Sequence, residues 1–214
     1  PLGDPTQLRA YIFVYTPGSG FTTTPVFQTA LNYSRHCVVD ANFSNCTASG
    51  SANLNIGVPA AWNPWHTGFI GYQDLGNSPA QQGIFYPQPI LSSLSFDNGN
   101  LILGLRDRYG DQMGYNQPTP TNSKTVSGSS AGDTLRACLN TAGNFASGWT
   151  LESNAACGTI QTAGKNMNTS GTTAPTNYGP GGGLYYYQNT WYPYHEYLAT
   201  GSLLQIPGVP SMIT

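Results

Sequence analysis

The sequence predicts an all-β fold, and three observations carry the prediction. Short runs rich in Tyr, Ile, Phe, Val and Thr recur along the chain, and these side chains suit a pleated surface. Between them lie clusters of Gly, Pro, Asn and Ser, which supply the dihedrals of turns. No segment has convincing helical periodicity; residues 194–198 have room for one turn at most.

Taken in order, residues 8–15 (LRAYIFVY) are the first strand, closed by Thr16-Pro17-Gly18-Ser19-Gly20. Residues 26–33 form a second strand, close enough for a hairpin. Residues 58–72 (VPAAWNPWHTGFIGY) hold two tryptophans, two prolines and a histidine, a platform rather than a regular strand. Residues 90–96 and 101–105 are two apolar runs joined by Asp97-Asn98-Gly99-Asn100. Asn-Gly tolerates positive φ, so this is the clearest hairpin of the chain. Residues 116–132 read as an aperiodic loop, and 134–139 (TLRACL) and 148–152 (GWTLE) as further strands. Gly179-Pro180-Gly181-Gly182-Gly183 lacks a following Lys-Ser/Thr and helix, so turn formation or close packing is its role, with an aromatic strand and then a strand at 202–206 after it. The organisation expected is one all-β domain over 1–214 with exposed loops near 37–57, 116–132 and 159–178.

Composition narrows the functional classes. Charged residues are only 7% of the chain, but aromatics are 12%, which excludes a disordered chain. A formal net charge of -2 offers no basic surface for phosphates, so nucleic acid is excluded as a partner. No run approaches a membrane span and no signal peptide opens the chain, so export requires a leader that was removed or lies outside this segment. The four cysteines sit as two local pairs, Cys37 with Cys46 and Cys138 with Cys157. Four cysteines allow three connectivities and proximity favours the local ones. Neither pair has CxxC spacing and no histidine stands near a second ligand, so disulfides in an oxidising compartment are expected over a metal site. Sequons at Asn32, Asn42, Asn45 and Asn168 fit an exported glycoprotein, although such triplets arise by chance in Asn/Ser/Thr-rich chains.

Three groups of residues are candidates for chemistry. Arg106, Asp107, Arg108 and Asp111 are the densest charge in the chain. On a strand, Arg106 and Arg108 project to one face and Asp107 to the other, and the reading preferred is a strand-end structural network. A calcium site using Asp107 or Asp111 is the alternative, short of the several oxygens a hard cation needs. A glycosidase carboxylate pair lacks a second acid in a matching context. Trp62, Trp65 and His66 are read as a core plug, with a sugar-stacking or partner-binding platform as the functional alternative. His195 and Glu196 are adjacent and on a strand face apart, and Glu152 stands alone. With no GxSxG, HExxH or phosphate-cradling loop, no catalytic residue is assigned.

Asp4 to Tyr15 (DPTQLRAYIFVY), Tyr86 to Gly114 (YPQPILSSLSFDNGNLILGLRDRYGDQMG), Ala131 to Leu139 (AGDTLRACL) and the stretch from Gly179 to Gly208 (GPGGGLYYY…HEYLATGSLLQIPG) together resemble the propeller-like region of large secreted bacterial surface proteins. In that family such a region often precedes adhesin-type β-sandwich repeats. The segment from Pro89 to Gln112 is its most specific part. The resemblance implies a β-propeller-like fold of antiparallel blades in an extracellular, cell-surface setting, and no catalytic mechanism to transfer. The length suits about four or five blades, so the ring is incomplete or is completed by another chain. The expectation is a non-catalytic structural or adhesion module with other protein chains as partners; a carbohydrate-binding or glycan-active module is the alternative.

Overall fold

A computed structural model of the chain describes residues 4–33, 61–65, 86–113, 132–157 and 179–183, together with 35, 37–38, 58–59, 81–84, 117–118, 125–128, 130, 204–205 and 212–213. In chain order the strands are β1 (Arg9–Ile12), β2 (Tyr15–Thr16), β3 (Gly20–Phe21), β4 (Phe27–Ala30), β5 (Cys37–Val38), β6 (Val58–Pro59), β7 (Gln81–Ile84), β8 (Pro89–Asp97) and β9 (Asn100–Asp107). Helix α1 (Arg108–Met113) follows, then β10 (Gln117–Pro118), β11 (Thr125–Gly128), β12 (Asp133–Leu139), β13 (Trp149–Leu151), β14 (Leu204–Gln205) and β15 (Met212–Ile213). The protein is mostly β, and its sheets are antiparallel except where β11 pairs parallel with β7. Among the described residues the sheets do not close into a propeller ring.

The centre of the molecule is a four-stranded antiparallel sheet in the order β13-β12-β9-β8, a meander interrupted between β9 and β12. Its hairpin β8–β9 turns through Asn98 (φ 50°) and Gly99 (φ 86°), the left-handed pair that matches strand twist in a two-residue loop. A bulge between Leu91 and Ser93 shifts the register midway along β8.

Alternation along β9 and β12 then decides what is buried. Leu101, Leu103 and Leu105 stand opposite Ala137, Leu135 and Asp133, so the leucines and their partners share one face. That face meets Ala10, Phe27, Leu31 and Trp62 in the hydrophobic core, which brings in the β1–β4 hairpin. Burying a Leu or Phe fully contributes about 1.5–3 kcal/mol, so this layer is the main source of stability. The opposite face carries Ile102, Thr134, Arg136 and Cys138, which are buried as well. A disulfide joins Cys138 to Cys157, with 5.6 Å between their Cα atoms.

The glycine-rich run docks beside this sheet. Pro180 O accepts from Asn154 N at 2.8 Å, and a Cβ at Gly181 (φ 68°) would lie 2.9 Å from that same nitrogen. Close approach of two backbones explains the glycine there.

Three expectations need correction. Residues 8–15 are not one strand: pairing lapses at Phe13 and Val14, and only Ala10 is buried in β1. Residues 116–132 are not plain loop, since β10 and β11 lie within them and Ser130 and Gly132 are buried. A helix exists, because Asp107 caps α1 by accepting Tyr109 N at 3.0 Å; six residues are too few to show a period. The predicted loop at 159–178 lies outside the described residues, and the described helices are all too short to span a membrane.

The β8–β9 turn yields a direct test. At Gly99 the positive φ disfavours an L side chain, and an added Cβ would meet Leu139 Cδ2 at 3.1 Å. Gly99→Ala is expected to lower unfolding free energy by about 1–2 kcal/mol in urea denaturation. An unchanged midpoint would refute the left-handed turn.

Candidate functional site

The charge-dense segment ends β9 and starts α1, so Arg108 is helical and not on the strand with Arg106. Asp107 is fully buried, and its Oδ1 accepts from Gln88 N at 2.9 Å as well as from Tyr109 N. Arg106 Nε donates to Asp111 Oδ2 at 2.8 Å, and Ser130 Oγ donates to Asp111 Oδ1 at 3.0 Å. Arg108 donates to Gln88 Oε1 at 2.6 Å and lies 5.0 Å from the Trp65 ring. Trp65 Nε1 in turn donates to Pro89 O at 2.8 Å. The four charged residues therefore tie the ends of β8 and β9 to α1 and to residues 61–65. Among the described residues no cluster of three or more His, Cys, Asp or Glu is arranged to hold a metal.

The two tryptophans of the predicted platform part company. Trp62 is 3% exposed and its ring is covered by the Arg35 guanidinium at 3.6 Å, whereas Trp65 is 48% exposed. Trp62 is thus a core side chain, and the structure does not bring both rings to one open surface. His66 lies outside the described residues, as do His195 and Glu196.

Around Trp62 the structure assembles a buried polar cluster that the sequence did not indicate. Tyr33 donates to Asp133 Oδ2 at 2.5 Å and accepts from Trp62 Nε1 at 3.1 Å. Arg35 Nε stands 3.5 Å from the same carboxylate oxygen, and its Nη2 donates to Gly132 O at 2.8 Å. Thr134 N donates to Asp133 Oδ1 at 2.8 Å. Burial raises the pKa of Asp133, against the opposing pull of Arg35 and Tyr33. Burial, then the Asp133 charge, hold the Tyr33 phenol well above its ordinary value. An acidic side chain ligated by Tyr, Arg and a backbone N–H has its acceptor sites engaged by the protein itself.

A third polar group sits on the other face of the sheet. Glu152 and Arg136 are both buried; Glu152 Oε1 accepts Arg136 N at 3.0 Å, and Arg136 O accepts Glu152 N at 2.9 Å. This carboxylate extends the β12–β13 pairing one step beyond the strand. The disulfide of Cys138 and Cys157 lies alongside, with Arg136 Nη2 4.0 Å from Cys157 Sγ. Cys37 contributes backbone to β5, and Cys46 lies outside the described residues with its pairing. Of the sequon asparagines, Asn32 is exposed; Asn42, Asn45 and Asn168 lie outside the described residues.

Two expected outcomes follow from this geometry. Asp107→Ala leaves two buried N–H donors without their acceptor and is expected to cost about 2–6 kcal/mol, because each unsatisfied group costs about 1–3 kcal/mol. Arg106→Ala breaks a partly exposed pair and is expected to cost under about 1 kcal/mol. Chemical denaturation of the two variants that gave equal losses would contradict this assignment. The second outcome concerns pH. A phenol held high keeps its proton in the folded state while the unfolded chain ionises near pH 10, so the folded state binds more protons and stability falls as pH rises past about 10. Tyr33→Phe is expected to flatten that alkaline fall, read as Tm against pH. The raised Asp133 works in the same direction at lower pH: its contribution is present below about 3.9 and is lost as pH rises through the folded value.

No family model matches the chain, and no solved structure matches it. The chain is similar to a segment of Colossin-A of Dictyostelium discoideum, with 28% identity over 214 residues, covering 98% of this chain and 2% of that protein. The chain thus spans about one fiftieth of the length of the curated relative it matches.

Proposed function

We propose that this chain is a non-catalytic β module of a much larger extracellular protein, acting as structural or adhesive scaffold at a cell surface. The observation that carries the reading is the end-to-end similarity to a segment that makes up 2% of Colossin-A. Nearly the whole chain aligns with a small part of a far longer polypeptide, as a module would. The use of its charges supports the non-catalytic part. Asp107, Asp111, Asp133 and Glu152 each accept from backbone N–H groups or from Arg, Tyr and Ser side chains that hold the fold. The Cys138–Cys157 disulfide supports an oxidising compartment.

The finer reading is the propeller-like region of a large secreted surface protein, with other chains of a surface assembly as partners. The four-stranded meander β8, β9, β12, β13 has the strand number and order of one propeller blade, and its two middle strands are covered on both faces as in stacked blades. An antibody against the 214-residue chain, used on fractions of the native source, tests the proposal. A band far above 22.8 kDa in the surface fraction, removed when intact cells are treated with protease, is expected. A sole band near 22.8 kDa confined to the cytosol would overturn it.

A further inference from the structure

The β1–β4 hairpin reaches well beyond the core that it helps to form. Every residue from Phe13 to Thr24 except Gly20 is exposed, and the ribbon closes through β2 and β3 with Ser19 N donating to Thr16 O at 2.9 Å. From Ala10 to Tyr33 the sequence contains no charged residue and no histidine. Four aromatic rings stand on this ribbon, with Tyr11 47%, Phe13 44%, Tyr15 57% and Phe21 70% exposed. They are organised: Tyr11 and Phe13 stack at 6.5 Å, and Tyr15 and Phe21 meet across the strands at 5.1 Å. A two-stranded ribbon with both faces in water is marginal, and natural edges are usually guarded by charges.

We propose that this aromatic ribbon is a self-association surface, on which a second copy of this chain packs its own Tyr11, Phe13, Tyr15 and Phe21. Charge and area favour that occupant. In a two-fold contact each patch meets its own kind, so a charged patch repels itself, whereas this one has nothing to repel. Taking roughly 200 Å² for each ring, the four leave on the order of 400 Å² of apolar surface in water. A standard interface buries about 800 Å² per partner, a little over half of it apolar, so the rings supply most of what a stable dimer needs. Anionic lipid or nucleic acid needs several cations, and the hairpin carries one, Arg9 at the start of β1. The inference stands independently of the module reading.

Sedimentation velocity of the full chain from about 1 to 100 μM, a range that captures micromolar affinity, tests it. The wild type is expected to move from 22.8 kDa toward twice that mass as concentration rises. Phe13→Ser/Phe21→Ser, and Phe21→Thr alone as a milder variant, are expected to weaken the dimer at least tenfold with unchanged circular dichroism. Phe145→Ser, which removes an exposed ring from the separate cluster with Phe96 and Trp149, is expected to associate like the wild type. A wild type that stays monomeric throughout, or a dimer indifferent to the ribbon variants, would overturn the proposal. A monomer whose tyrosine fluorescence responds to cellohexaose would also overturn it and assign the ribbon to neutral glycans.

Discussion

Strands β9 and β12 run through the molecule with both faces covered, so every polar group attached to them needs a partner inside the protein. Seven consecutive residues of β12 are buried, among them Asp133, Thr134 and Arg136. The ladder satisfies most of their backbone, and three polar clusters satisfy the carboxylates at the strand ends, while the buried Thr134 Oγ1 has no partner among the described residues. Asp133 opens β12 with Tyr33, Arg35 and the Thr134 N–H around it; Asp107 closes β9 and caps α1; Glu152 prolongs the pairing of β12 past β13. Removing one member of such a cluster costs more than the contact itself is worth, because the partner stays buried and unsatisfied. The clusters therefore fix where the strands end and which loops return to them.

What the sequence reveals divides along sequence distance. Asn98-Gly99 between apolar runs is a local signal, and it places β8 and β9 correctly because the turn dihedrals are set by those two residues alone. The density of Arg106, Asp107, Arg108 and Asp111 is also local, and its partners Gln88 and Ser130 lie within about twenty residues. The Tyr33–Asp133 bond joins residues 100 positions apart, and neither residue stands out among its neighbours. Helix α1 escaped because its signal is a capping side chain, while Gly110 weakens an already short segment. The two tryptophans show the limit of composition: three residues apart, Trp62 is sealed beneath Arg35 and Trp65 borders solvent.

The sparing use of charge links the interior to the surface. Of seven basic and nine acidic residues, Arg35, Arg136, Asp107, Asp133 and Glu152 are buried. Charges ordinarily keep a surface soluble and guard sheet edges, and a net charge near zero favours association. Here several of the few available are committed to strand ends, and the hairpin between Ala10 and Tyr33 has none. The residues 8–15 that read as a single strand are buried only at Ala10 and, in part, at Leu8 and Ile12, while Tyr11, Phe13, Val14 and Tyr15 face water. Packing alone does not account for that many exposed rings, because a strand serving only the core has polar residues on its outer face. An outer face of stacked aromatics on a ribbon with no charge from Ala10 to Tyr33 is the composition of a surface made to be covered.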